Sequence, residues 1–168
     1  MHNNDEIEKL TQDFWKALDA SRTVMLSAVG VDAYPARPMT AQTDEDIKDG
    51  SIYFFASRGE GLGRDVLAGA DKAHFAFQSK DHDILASAIG PIAAVNEPAM
   101  IDKLWSPMAA TYYEGGRSDP DLLLLRFTPP EFEVWRSSTT GMLKAIAYKL
   151  AGKDAGQAHE EDRATISA

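Results

Sequence analysis

No cysteine occurs in the 168 residues, so neither a disulfide framework nor a thiolate nucleophile or thiolate metal site is available. Histidine is scarce as well. The four present, His2, His74, His82 and His159, include no pair at the helical spacing of a metal site. Basic residues are in deficit, 17 against 26 acidic ones, for a formal net charge of -9. That balance opposes attraction to nucleic acid and to anionic lipid, and neither nucleic acid nor a membrane is an expected partner. No apolar run approaches the length that spans a bilayer. The opening Met1-His2-Asn3-Asn4-Asp5-Glu6 has neither the basic start nor the apolar core of a signal peptide. A cytoplasmic protein is expected. No nucleophile motif of the serine-triad kind is present. Gly59-Glu60-Gly61-Leu62-Gly63-Arg64 has its third glycine too early for a dinucleotide fingerprint, and no strand-helix alternation surrounds it.

What is present suffices for one well-buried core, with 44% hydrophobic residues in a chain too short for two ordinary domains. A single domain over 1–152 is expected. Lys153 to Ala168 is polar and Ala-rich, and it is expected to be a mobile tail. Asp5 to Ala20 reads as an amphipathic helix with Ile7, Leu10, Phe14, Ala17 and Leu18 near one face, and Asn3 and Glu6 at capping-box spacing. Arg22 to Val29 and Ala33 to Gln42 read as a hairpin, and Ser51 to Ala56 as a third strand. Leu62 to Gly69 reads as a short helix. Lys72 to Gln78 and Ile84 to Val95 form a second strand pair, with Gly90-Pro91 marking a bulge or bend. Glu97 to Trp105 reads as a helix, and Tyr112-Tyr113 as the end of another. Leu122 to Phe127 and Phe132 to Arg136 form the last hairpin, and Thr140 to Ala151 a final helix. Six or seven strands at hairpin spacing with peripheral helices indicate a small antiparallel barrel, mainly β in an α+β chain.

The chemistry concentrates in three places. Pro35 and Pro38 flank Arg37 and remove two backbone donors, which suits an edge strand whose carbonyls and arginine fork face a ligand. The guanidinium grips phosphate through paired hydrogen bonds. In Tyr53-Phe54-Phe55 alternate rings point to opposite faces, one filling the barrel and the other available to a cleft. Ala56 and Ser57 are small enough for a flat ring to approach the backbone. The glycine-rich turn before Arg64 lies between strand and helix, where amides receive an anion. An aromatic, phosphorylated ligand fits this combination, and a flavin is such a ligand. The bland readings are a solvated Arg37, core aromatics and a flexible turn. Asp44-Glu45-Asp46 with Asp49, and Asp81-His82-Asp83, read as solvated turns.

Five blocks in order carry a resemblance: Arg37-Pro38-Met39; Tyr53-Phe54-Phe55; Leu104-Trp105-Ser106-Pro107; Gly115-Gly116-Arg117-Ser118-Asp119-Pro120-Asp121; and Leu124-Leu125-Arg126-Phe127-Thr128-Pro129 followed by Glu133-Val134-Trp135. From about Leu10 to Gly152 the chain resembles general stress protein 26, within the pyridoxamine 5'-phosphate oxidase-like, FMN-binding split-barrel proteins. The resemblance implies a homodimer binding FMN, ahead of FAD, and exchanging electrons with an unidentified small donor or acceptor. A noncatalytic flavin-sequestering protein is the alternative. It implies cofactor contacts from Arg37, Pro38, Met39, Phe54, Phe55, Ala56, Ser57, Leu62, Gly63 and Arg64, with Trp105 and Trp135 as walls. Leu62-Gly63-Arg64 replaces the usual serine and lysine, Tyr112-Tyr113 replaces Trp-Phe, and Glu114 replaces proline.

Overall fold

The computed structural model describes residues 4–30, 35–47, 49–137, 150 and 163–168. An opening helix α1 (Asn4–Ser21) precedes β1 (Thr23–Ala28), β2 (Arg37–Thr40) and β3 (Ile52–Ser57); α2 (Gly61–Leu67) leads to β4 (Lys72–Gln78) and β5 (Ile84–Val95). Two short helices follow, α3 (Pro98–Leu104) and α4 (Pro107–Tyr112), then β6 (Leu122–Phe127), β7 (Glu131–Arg136) and β8 (Arg163–Ser167). The eight strands pair antiparallel in the order β2-β1-β4-β5-β6-β3, with β7 and β8 extending from β5. The expected β-rich split barrel with peripheral helices is therefore the architecture. Among the described residues one strand more than expected is present. Arg163–Ser167, read from sequence as tail, pairs with β7 and buries Ala164 and Ile166 in alternation. The helix expected over 140–151 and the Asn3 half of the capping box fall largely outside the described residues.

β5 links the two halves of the sheet. Its first part pairs with β4 and β7, and Ile92–Val95 pairs with β6. The change of partner comes at Gly90-Pro91, where a bend was expected. A Cβ on Gly90 would sit 2.3 Å from Pro129 Cα, so only glycine lets the loop before β7 cross here. The Pro91 carbonyl accepts the Thr128 N–H at 2.9 Å.

Alternation decides which side chains fill the barrel. On β3, Ile52, Phe54 and Ala56 join the main core, while Tyr53 and Phe55 pack on the other face with Leu104 and Leu124 beneath α3. α1 closes the barrel with Leu10, Phe14 and Leu18. Phe14 lies 4.9 Å from Phe132, and Phe75 lies 5.5 Å from Phe132 and 5.9 Å from Phe127. Each such ring contributes about 1.5–3 kcal/mol by burial. The acidic turn is not simply solvated, because Lys103 Nζ bridges Asp44 (2.9 Å) and Asp46 (2.7 Å) and ties α3 to it. Asp81-His82-Asp83 forms a tight turn, with His82 at a φ of 64°.

Candidate functional site

The strand path begins at β2 and ends at β3, and among the described residues these two edges meet through a single isolated bridge, Gln42 with Tyr53. The barrel is thus split along a β2/β3 seam. Backbone groups in an antiparallel strand point alternately to either side. Ala41 donates its N–H to the Arg22 carbonyl toward β1 at 2.7 Å, whereas Gln42 exchanges both bonds with Tyr53 across the seam at 2.8 and 3.0 Å. Pro38 and Thr40 share the parity of Gln42. The missing N–H of Pro38 therefore costs the β1 ladder nothing. Its carbonyl, and the N–H and carbonyl of Thr40, face the seam.

Along this edge runs a cleft of about 630 Å³, within the usual size of small-molecule sites. Arg37, Pro38, Met39 and Thr40 form one side, Phe55, Ala56 and Ser57 the other, and Gly61, Leu62 and Gly63 one end. Ser106, Met108, Tyr112 and Tyr113 cover it from α4 and its flanks. Arg37 reaches over the turn, its Nη1 3.0 Å from where a Cβ on Gly61 would lie. Gly61 has a φ of +57°, so glycine answers both the close approach and the left-handed backbone. Gly63 is more constrained, since its Cβ would fall 2.0 Å from the Ser57 carbonyl oxygen.

Eight of the twelve expected residues line this cleft: Arg37, Pro38, Met39, Phe55, Ala56, Ser57, Leu62 and Gly63. The other four lie elsewhere. Phe54 is wholly buried in the barrel core. Arg64 turns its Nη2 to Asp65 at 3.1 Å. Trp105 stands behind the wall, its ring 5.7 Å from Phe55 and 6.3 Å from Tyr113. Trp135 is on β7 opposite Leu85, with the Arg163 guanidinium 5.8 Å over its ring.

Sequence reading missed Arg22, Gln42 and Asp121, all of which line the cleft. Asp121 accepts hydrogen bonds from Ser57 Oγ (2.9 Å), Arg58 N–H (3.0 Å) and Gly59 N–H (3.2 Å). The Ser57 hydroxyl first, then these amides, hold its carboxyl below the usual carboxylate range. Amides that the turn offered to an anion are thus already used, which leaves those of Gly61 to Gly63 at the Arg37 end. Arg22 follows α1 with a φ of 56°, a left-handed conformation that costs an arginine about 1–2 kcal/mol.

Tyr113 is 8% exposed. Burial, then Asp121 and Asp119, push its phenol up to about 12. The folded protein therefore keeps the proton after the unfolded chain has lost it, and this contribution to stability falls as pH rises from 10 to 12. Tyr113→Phe should lose less stability between pH 9 and pH 11 in urea unfolding than the unsubstituted protein. An equal loss would show that the phenol is not held neutral by its surroundings.

The family model described as pyridoxamine 5'-phosphate oxidase like matches residues 9–159. Among solved structures, the general stress FMN/FAD binding protein of Xanthomonas citri is 42% identical, over 79% of this chain and 92% of that one, with a TM-score of 0.71. A general stress family protein of Xanthomonas campestris pv. campestris is 40% identical, over 83% and 92%, with a TM-score of 0.72. A protein named as a general stress protein 26, from Jannaschia sp. CCS1, is 28% identical over 96% and 99%, with a TM-score of 0.73. No curated protein matches the sequence. With the split barrel, the ordered motifs and the family match in agreement, the chain belongs to the pyridoxamine 5'-phosphate oxidase-like family and within it to the general stress protein 26 group.

Proposed function

We propose that the seam binds FMN and that the protein is a flavin-dependent oxidoreductase acting with a small redox partner. The observation that carries this reading is Arg37 poised over Gly61 at one end of a cleft whose side is an unpaired strand edge. The phosphate would lie against the guanidinium and the amides of Gly61 to Gly63. Arg64 would add positive charge from outside the wall. The ring would lie beside Pro38, Met39 and Thr40, with the Thr40 N–H and carbonyl available to its polar edge. Phe55, Ala56 and Ser57 would face it, with Trp105 holding Phe55 in place. The Xanthomonas citri relative, named as an FMN/FAD binding protein, supports a flavin as the occupant.

A bound flavin supplies the hydride-accepting centre, so the chain has to position and shield it. Tyr113 can offer a neutral hydroxyl at neutral pH, and the ionised Asp121 fixes the turn beneath Ser57 to Gly59. The second reading is a flavin-sequestering protein, which would use the same cleft without turnover. Multiple turnover of an acceptor with reduced nicotinamide as donor would uphold the oxidoreductase. Bound flavin without turnover would leave sequestration.

A homodimer is part of the proposal. On the outer sheet face Met25, Leu85, Ile89 and Trp135 are exposed or half-buried, and Met108 (62%) and Tyr112 (77%) are exposed at the cleft. A second copy covering these groups would remove apolar area from water. The expected mass in light scattering is twice the 18.3 kDa of one chain. A stable monomer that retains its flavin at low concentration would contradict a shared site.

A further inference from the structure

Asp121 lines the cleft, although a carboxylate beside a site for an anion repels that anion. Its hydrogen bonds account for the placement. One oxygen, Oδ1, accepts from Ser57 Oγ at 2.9 Å, from the Arg58 N–H at 3.0 Å and from the Gly59 N–H at 3.2 Å. The Asp121 carbonyl also accepts from the Arg58 N–H, at 2.9 Å, and Arg58 Nε returns to the Leu122 carbonyl at 3.2 Å. The turn between β3 and α2 is thereby laced to the start of β6 from both sides. Arg58, Gly59 and Glu60 are exposed, so hydrogen bonds rather than burial fix this turn.

Asp121 is itself held. Asp119 Oδ1 accepts the Asp121 N–H and Asp119 Oδ2 the Gly115 N–H, each at 2.9 Å, and the Asp119 carbonyl accepts the Leu122 N–H at 3.1 Å. Ser57 has one hydroxyl proton, which goes to Asp121, while its oxygen accepts the Gly59 N–H at 3.1 Å. The hydroxyl is committed to the turn. Directly after the turn come Gly61, beneath the Arg37 guanidinium, and Gly63, packed on the Ser57 carbonyl.

We propose that Asp121 is a positioning residue that sets the preference of the seam for a phosphorylated over an unphosphorylated flavin, by fixing the turn that seats Gly61 to Gly63 beneath Arg37. The inference rests on the flavin reading, which places the phosphate at that end. Donors to a phosphate have to be held within about 0.5 Å of their places to act together. Asp121 supplies that constraint through Ser57, Arg58 and Gly59 rather than by meeting the ligand.

The test is fluorescence titration of FMN and riboflavin into the unsubstituted protein, Asp121→Ala and Asp121→Asn, with amide hydrogen exchange over residues 57–63 of the flavin-free proteins. Asp121→Ala should weaken FMN about tenfold and riboflavin by no more than about twofold. Asp121→Asn removes the charge but keeps Oδ1 as the acceptor for all three donors, so its FMN constant should stay within about threefold of the unsubstituted protein. A general loosening of the fold would weaken both flavins alike. Equal weakening of FMN and riboflavin in Asp121→Ala, or FMN binding in Asp121→Asn as poor as in Asp121→Ala, would overturn the proposal. If the unsubstituted protein takes up no FMN, the flavin reading fails by itself. Hydrogen exchange then decides the positioning role, with faster exchange in Asp121→Ala that Asp121→Asn restores upholding it and unchanged exchange rejecting it.

Discussion

Gly63→Ala is expected to destabilise the protein by about 3 kcal/mol or more and to abolish the cleft's end wall. The added methyl would lie 2.0 Å from the Ser57 carbonyl oxygen and 3.2 Å from Ala56 Cβ. Neither can yield easily, because Ser57 and Ala56 belong to β3 and are paired to Leu122 and Leu123 of β6. α2 must therefore move off the strand. For a chain of this size the melting temperature should fall by roughly 6–12 °C, and bound flavin should be lost with it. Gly59→Ala is the control in the same turn. Its Cβ would meet nothing closer than 3.7 Å, and its effect should stay within about 0.5 kcal/mol. Comparable melting of the two variants would show that α2 is not seated against β3 in this way.

Arg37→Ala should weaken FMN by about tenfold to a hundredfold, or roughly 1.5–3 kcal/mol, the range for one charge-assisted hydrogen-bonding group. Riboflavin, which lacks the phosphate, should bind weakly to the unsubstituted protein and be little affected by the change. Fluorescence titration of both flavins on both proteins gives the four constants. Arg64→Ala should have a smaller effect, since that guanidinium is turned to Asp65. If Arg37→Ala leaves the FMN titration unchanged, the arginine belongs to the solvated surface and the phosphate lies elsewhere.

Much of the barrel was legible because its strands alternate cleanly. Lys72–Gln78, Ile84–Val95 and Leu122–Phe127 begin and end where sequence reading places them. The bend at Gly90-Pro91 could be located from two residues that resist regular sheet. β8 was not legible. Arg163-Ala164-Thr165-Ile166-Ser167 offers only alanine and isoleucine to the core, too little to separate an edge strand from a polar tail before β7 is known to lie beside it.

The site was readable where it follows one strand and obscure where it joins two. Arg37 to Met39 and Phe55 to Ser57 announce themselves by proline, charge and aromatic alternation. Phe54 and Phe55 look alike in sequence, and only the sheet's sidedness sends one to the core and the other toward the cleft. Arg22 carries no local signal of its role. Its place depends on a left-handed turn after α1 and on the Ala41 hydrogen bond. Gln42 becomes informative only when its backbone is seen bridging to Tyr53 across the seam. Trp135, prominent as an aromatic, lies on β7 away from the cleft lining, and a wall role for it requires a second chain.

The most direct measurement is the absorption spectrum of the purified protein after saturation with FMN and removal of the excess, with the mass of the released ligand. The account predicts a yellow protein carrying one FMN per chain, released intact on denaturation. A colourless protein under the same treatment, or one releasing a different chromophore, would contradict FMN binding at the seam.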